Sequence, residues 1–380
     1  MKIFHCDQCQ NLLFFENTVC VKCSRALAYP PDLGEICSLD AVTEESWAPG
    51  IPGAQDVRYR VCRNYLAENA CNWAVRANDT HALCISCRLT RVLPDLGVPE
   101  HRRAWLKLEV AKRRLVYSLV SLGLPVANKE DDPKQGLAFE FKADLADDTP
   151  DAAPVLTGHN QGVITINVAE ADDPERERRR QKLHEPYRTL LGHFRHEIGH
   201  YYWDRLIRDS DQLQPFRALF GDEQADYAKA LEAHYQNGPP AQWQDRFVSA
   251  YAAAHPWEDW AESWAHYLHM TDALETARGC GVSLQPPRED EPALKPTSVR
   301  LDGEPESFQR MINAWFSLTY VLNNLTRGLG LPDGYPFVLS APAIAKLGFI
   351  HQVIGRAHIA PAASQVAGPS PLVEVLAHEN

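Results

Sequence analysis

A chain of 380 residues, 45% hydrophobic and 23% charged, is long enough to bury a full core, and so ordinary a composition excludes a fibrous or disordered protein. The formal net charge of −12 disfavours a general binder of nucleic-acid phosphates. No run approaches a membrane span, and the first residues enter a cysteine pair without the apolar stretch of a secretory signal, so a cytoplasmic location is expected.

Nine of the ten cysteines lie before residue 90. Without an export signal, closely spaced cysteine pairs point to metal thiolates and not to disulfides. Cys6-x2-Cys9-x10-Cys20-x2-Cys23 offers two knuckles to one tetrahedral zinc, with Leu12 to Phe15 as the short strand between them. A looser set, Cys62-x8-Cys71-x12-Cys84-x2-Cys87, holds one proper knuckle, at 84–87. Cys62 and Cys71 are the first choice to complete it, with Cys37 and His81 as substitutes. Residues 1–95 therefore read as a small β-rich zinc-ribbon region with one or two structural zinc ions. They carry 9 Lys/Arg against 11 Asp/Glu, a net of −2, which argues against nucleic acid as a partner.

Beyond that region Ala104, Leu108, Ala111, Leu115, Leu119 and Leu122 recur at steps of three and four, the stripe of an amphipathic helix stopped by Gly123 and Pro125. The alternating runs Leu137-Phe139-Phe141 and Ile164-Ile166-Val168 read as half-buried strands across a polar, Asp-rich connection, 144–160. The basic run from Arg176 to Lys182 reads as a solvated helix face or its lead-in. A helix is expected from about Pro186 to Asp209, and others near 222–236, 256–278, 306–327 and 341–357. Pro286 to Glu306 reads as a loop, and 361–380 as a flexible tail. The fold class is α+β: a mainly helical domain over 96–360 with a small antiparallel sheet, behind the ribbon region.

The helix over 186–209 contains His196-Glu197-Ile198-Gly199-His200. Residues i and i+4 differ by about 40° around a helix axis, so both imidazoles face one metal ion. The intervening Glu turns aside, able to reach a water on that metal. Zinc lowers the pKa of such a water to about 7, and a carboxylate takes its proton. His196 and His200 are thus candidate ligands and Glu197 the candidate general base. Leu190, Leu191, Phe194, Ile198, Tyr201, Tyr202 and Leu206 make this helix apolar enough to cross a domain centre. A third ligand is sought in the segment from His255 to His266. Pro256 suits a helical first turn there, and Glu258, Glu262 and His266 share one face. Asp204 reads as a supporting or salt-bridging residue, and His193 has no assigned task. Tyr201, Tyr202, Tyr251, Tyr267 and His266 are all candidates for a transition-state donor.

At these residues the sequence resembles the gluzincin metallopeptidases, in which HExxH is followed on a second helix by a Glu that commonly opens an E-x-x-A/S-D/E pattern. Glu258-Asp259-Trp260-Ala261-Glu262 fits, which implies a zincin-like domain with Glu258 on zinc and Glu262 supporting a ligand His. Glu262-Ser263-Trp264-Ala265 also reads E-x-aromatic-A and leaves the phase open. The resemblance further implies that Gly162 to Asn167 form part of a groove for an extended peptide. The start with Phe4, Cys6 and Cys9, the stretch Phe14-Phe15-Glu16-Asn17, the segment Cys87-Arg88-Leu89-Thr90-Arg91, and the two helical motifs together resemble a bacterial family of zinc-binding metallopeptidases with an amino-terminal zinc ribbon. That resemblance implies one catalytic zinc beside the structural ones and a protein or peptide substrate. The alternative is a zinc-ribbon binding module for protein or nucleic acid, with a peptidase-like domain that only holds metal. Glu197 favours chemistry, because metal binding alone does not need it.

Overall fold

The computed structural model describes residues 2–144, 155–182, 189–295 and 302–359. In the Cys-rich part the same backbone turn closes the first two CxxC pairs, Cys6–Cys9 and Cys20–Cys23. Gln10 and Ser24, directly after Cys9 and Cys23, take left-handed φ of 56° and 61°, and their N–H groups donate to the carbonyls of Cys6 and Cys20. Strands β1 (Phe4–His5) and β2 (Leu12–Leu13) pair antiparallel, so the expected linking strand folds back onto the residues ahead of Cys6. Then β3 (Leu27–Ala28), β4 (Cys37–Ala41), β5 (Trp47–Pro49), β6 (Tyr59–Val61) and β7 (Ala74–Arg76) form an antiparallel meander in chain order. Antiparallel neighbours need only local reversals, which suits a segment rich in turn residues. The short helix α1 (Arg63–Leu66) lies between β6 and β7.

Helix α2 (Pro99–Ser121) has proline in its first turn and is followed by Gly123 at φ 67°. Trp105, Leu108, Ala111, Leu115 and Leu119 form its buried stripe, close to the expected spacing. Tyr117 of this helix meets the rings of Phe4, Phe15 and Tyr29 at 6.4, 5.3 and 5.8 Å. One continuous buried cluster therefore runs from the Cys-rich part through α2 into the helices beyond.

Strands β8 (Thr90–Val92), β9 (Ala138–Lys142), β10 (Gly158–Asn160) and β11 (Val163–Asn167) make a sheet in the order β10-β11-β9-β8. Both expected strands form and the α+β class stands, but this sheet is mixed. β9 runs parallel to β8 and β11, and β10–β11 is its antiparallel pair. A long connection between β9 and β11 lets the chain return in the same direction. By contrast β10 reverses into β11 through Gln161-Gly162, with φ of 48° and 82°, as a two-residue type I′ hairpin requires. The segment 162–167, expected to border a substrate groove, is therefore an interior strand. On that side the sheet edge belongs to β10, and β8 forms the other edge.

The remaining helices are α3 (Asp173–Lys182), α4 (Leu190–Leu206), α5 (Leu213–Phe220), α6 (Tyr227–Asn237), α7 (Pro256–Gly279), α8 (Pro305–Gly328) and α9 (Ala341–Ile359). Of the basic run, the side chains after Arg178 lie outside the described residues, as do 183–188 before α4, 296–301 of the Pro-rich loop and the tail 361–380. Helix α5 has no counterpart in the sequence reading, and α6 starts later than expected, where Asp226 caps its first turn by accepting from Lys229 N. Helices α4 and α7 cross at the centre. Gly199 allows their approach: a β-carbon there would sit 3.0 Å from Ala261 Cα and 3.1 Å from Trp264 Cβ. The Trp260 indole donates to the Gly199 carbonyl at 2.8 Å. Among the described residues no helix is long and apolar enough to cross a membrane.

Candidate metal centres and active site

Helix α4 starts at Thr189, whose hydroxyl accepts from Gly192 N at 3.0 Å, and it carries the HEIGH residues into the core. His196 and His200 stand one turn apart with ring centroids 4.9 Å from each other. Glu258 reaches them from the first turn of α7, and the donor atoms of all three lie within 4.8 Å of one another. Glu258 Oε2 is 3.0 Å from His196 Nε2 and 3.6 Å from His200 Nε2, yet it is buried without a hydrogen-bond partner. Three donor atoms converge with no hydrogen bond to Glu258 Oε2, which is the arrangement a shared cation needs. Burial opposes the charge on Glu258, but the neighbouring His200 and His196 hold its carboxyl well below the usual range.

Each member of the trio is fixed from behind. His196 Nδ1 is 2.7 Å from Glu262 Oε1, and Ser249 Oγ donates to Glu262 Oε2 at 2.6 Å. The Trp257 ring lies 3.9 Å from that of His200. Tyr227 O–H donates to Glu258 Oε1 at 2.7 Å. Glu258 thus joins the two histidines, while Glu262 orients one of them. Asp204 pairs with Arg208 at 2.5 Å, as a salt-bridging residue.

Glu197 Oε2 is buried and unpartnered, while Oε1 lies 3.3 Å from His193 Nε2. His193 Nδ1 is in turn 3.7 Å from Glu170 Oε2. Burial pushes the His193 pKa down, but the carboxylates of Glu170 and Glu197 outweigh it and lift the value to about 9. Burial likewise works against the charge of Glu197, and His193 with the nearby imidazoles keeps its carboxyl below the ordinary value. His193 therefore has a task that the sequence reading did not assign. Its place four residues ahead of Glu197 is the available signal, since i and i+4 share a helix face.

Of the five candidate donors, four are engaged elsewhere. Tyr201 O–H donates to the Gln135 carbonyl, Tyr202 O–H to that of Pro125, Tyr267 is bonded to His351 and His266 to Tyr335. Tyr251 stays close, with its ring 5.8 Å from that of His196. The structure adds His159, on β10, whose ring stacks 6.3 Å from His200. Its Nε2 accepts from Gly162 N at 2.9 Å, which leaves the proton on Nδ1, a buried atom without a partner. Burial, followed by the charge of His200, lowers its pKa to about 3, so the ring is neutral. A cavity of about 520 Å³ bordered by Trp203, Leu213, Tyr227, His255 and Trp257 opens beside the centre.

Both cysteine sets converge. Cys6, Cys9, Cys20 and Cys23 form one cluster and Cys62, Cys71, Cys84 and Cys87 another. Sulfur separations of 3.7 Å for Cys6–Cys23, 3.6 Å for Cys9–Cys20 and 3.7 Å for Cys71–Cys84 are far too long for disulfides. They match the edge of about 3.8 Å set by a tetrahedron of sulfurs 2.3 Å from a zinc. Backbone N–H groups of Cys84 and Cys87 each reach a cluster sulfur at 3.4 Å, as thiolates need. The substitutes drop out: Cys37 donates to the Ala28 carbonyl, and His81 is not in the cluster. The donor sets fit zinc at all three places.

The sequence profile of a family described as "putative zinc-binding metallo-peptidase" matches residues 101–353, and that of a zinc-ribbon domain matches 3–98. Uncharacterized proteins of Mycobacterium tuberculosis strain H37Rv and of Mycobacterium bovis are each 44% identical to this chain over 360 residues, which cover 93% of it and 95% of theirs. No solved structure matches.

Proposed function

The chain belongs to the zinc-binding metallopeptidase family, and from that premise we propose that it hydrolyses peptide bonds, with His196, His200 and Glu258 holding zinc and Glu197 as general base. When bound, zinc would supply a Lewis acid and bring the pKa of an attacking water to about 7. Glu197 takes the proton of that water through Oε2, while His193 holds Oε1 and keeps the carboxyl ionised. His159 offers its neutral Nδ1–H to the carbonyl oxygen as charge develops there. The edge strand β10, which carries His159, presents backbone groups for an extended peptide to pair with. The eight clustered cysteines make two structural zinc sites in a unit over 1–95, ahead of a peptidase unit over 96–360.

The observation that carries this reading is the free Glu197 oxygen beside three converging donor atoms. A fold that merely stored metal would have no use for that buried, ionised carboxylate. The test is Glu197→Gln. Metal content and melting should be unchanged, and cleavage of an unstructured protein substrate should fall by roughly 10²–10⁴-fold. Equal cleavage by both proteins would sink the assignment of the base. Failure of the wild type on a broad peptide library would favour a binding module that only holds metal.

A further inference from the structure

Helix α6 meets the metal centre at its first residue, Tyr227. None of its residues is buried, although the centre beneath it is: His196, Glu197, His200 and Glu258 are 8%, 5%, 4% and 1% exposed. The helix is flanked by Gly221 at φ 107° and Gly238 at φ 73°, conformations that favour glycine. Its ties to the centre are few and specific. Tyr227 O–H donates to Glu258 Oε1 at 2.7 Å, and the Tyr227 ring stands edge-on to His255 and Trp257 at 5.2 and 5.8 Å. His255 caps α7 by accepting from Trp257 N, and its other nitrogen holds the Ala225 carbonyl at 3.1 Å, just ahead of α6. Farther along, the His234 ring meets that of Tyr251, which faces His196.

We infer that Tyr227 is a positioning residue that joins the metal centre to its covering helix, so that metal retention and closure of α6 are one coupled equilibrium. This rests on the assignment of His196, His200 and Glu258 to zinc. Of the ties from α6, the hydrogen bond to a metal-ligand side chain is the one to the Glu258 carboxylate. Glu258 turns Oε2 to the two histidines and Oε1 to Tyr227, so fixing either oxygen orients the other. Glu258 holding a metal would be fixed where α6 docks, and docked α6 would keep Glu258 turned toward the two histidines. Because linkage is reciprocal, each event strengthens the other by the same factor.

The test is Tyr227→Phe in the full chain, which keeps the ring and removes only the hydroxyl from a residue that is 38% exposed. Zinc affinity is read by chelator competition, with an H196A/H200A double variant as the blank for the cysteine sites. Hydrogen exchange of residues 227–237 is followed with and without zinc at the histidine site. Y227F should bind that zinc 10–100-fold more weakly, the range typical of a lost outer partner. Zinc should raise α6 protection in the wild type, and that increment should vanish in Y227F. Unchanged affinity, or an equal increment in both proteins, overturns the inference and leaves the metal site standing. A wild type that binds no more zinc than the double variant removes the metal assignment itself, and this inference with it.

Discussion

Glu258 and Glu262 sit one turn apart on α7, and their surroundings give them different work. Glu258 Oε2 faces both histidines, whereas Glu262 bonds His196 Nδ1 and Ser249. Glu258→Gln should therefore abolish zinc at this centre in a metal analysis, because an amide is a poor ligand for it. Glu262→Gln should keep the metal with affinity lowered about 10–100-fold; the reverse order would move the third ligand to Glu262. His193 yields a prediction in pH. Its cationic ring helps hold the Glu197 carboxyl below the ordinary value, so His193→Gln removes a stabiliser of the charged form and the Glu197 pKa rises. The base must be ionised to work, so the acid limb of kcat/KM should move to higher pH. A limb that stays in place would separate His193 from the base.

At the scale of elements, the α4–α7 crossing depends on the missing side chain of Gly199, where a β-carbon would meet the Ala261 backbone at 3.0 Å. Gly199→Ala should cost about 1–3 kcal/mol in thermal or denaturant unfolding, as overpacking of a core does. It should also weaken zinc at the histidine site, since the two helices carry its ligands. An unaltered midpoint and metal content would show that the crossing relaxes freely. The Cys-rich part makes the complementary case. Structural zinc contributes about 10–16 kcal/mol of apparent binding energy that is also folding energy. Phe4 and Phe15 pack on Tyr117 of α2. Changing both Cys20 and Cys23 to Ser should thus raise hydrogen exchange in residues 2–30 and also in α2 around Tyr117. Protection lost in the first segment alone would mean that α2 holds its place without the ribbon.

At the scale of the molecule, three donor sets converge among the described residues and predict three zinc ions per chain, two on thiolates and one on the histidine pair with Glu258. Metal analysis of the purified protein checks this, and two ions or fewer would remove one of the sites. The HExxH motif and the first cysteine set were legible in one dimension because their chemistry is local: a helix turn or a knuckle brings donors together whatever the rest of the chain does. Helix α2 was legible for a similar reason, since its apolar stripe states its period within the segment, whereas α4, buried without a break from Phe194 to Trp203, was legible from its apolar content. Glu258 and Glu262 could not be separated that way. Both lie on the face of α7 that looks to α4, and only the crossing at Gly199 determines which turn meets His200. The choice of Cys62 and Cys71 over their substitutes, the interior place of β11, the approach of Glu170 to His193, and the tie from Tyr227 to Glu258, 31 residues apart, were decided by contacts between separate segments. Sequence spacing carries no distance over such separations, because a flexible connection can close in many ways. Packing of the helices and the sheet selects one.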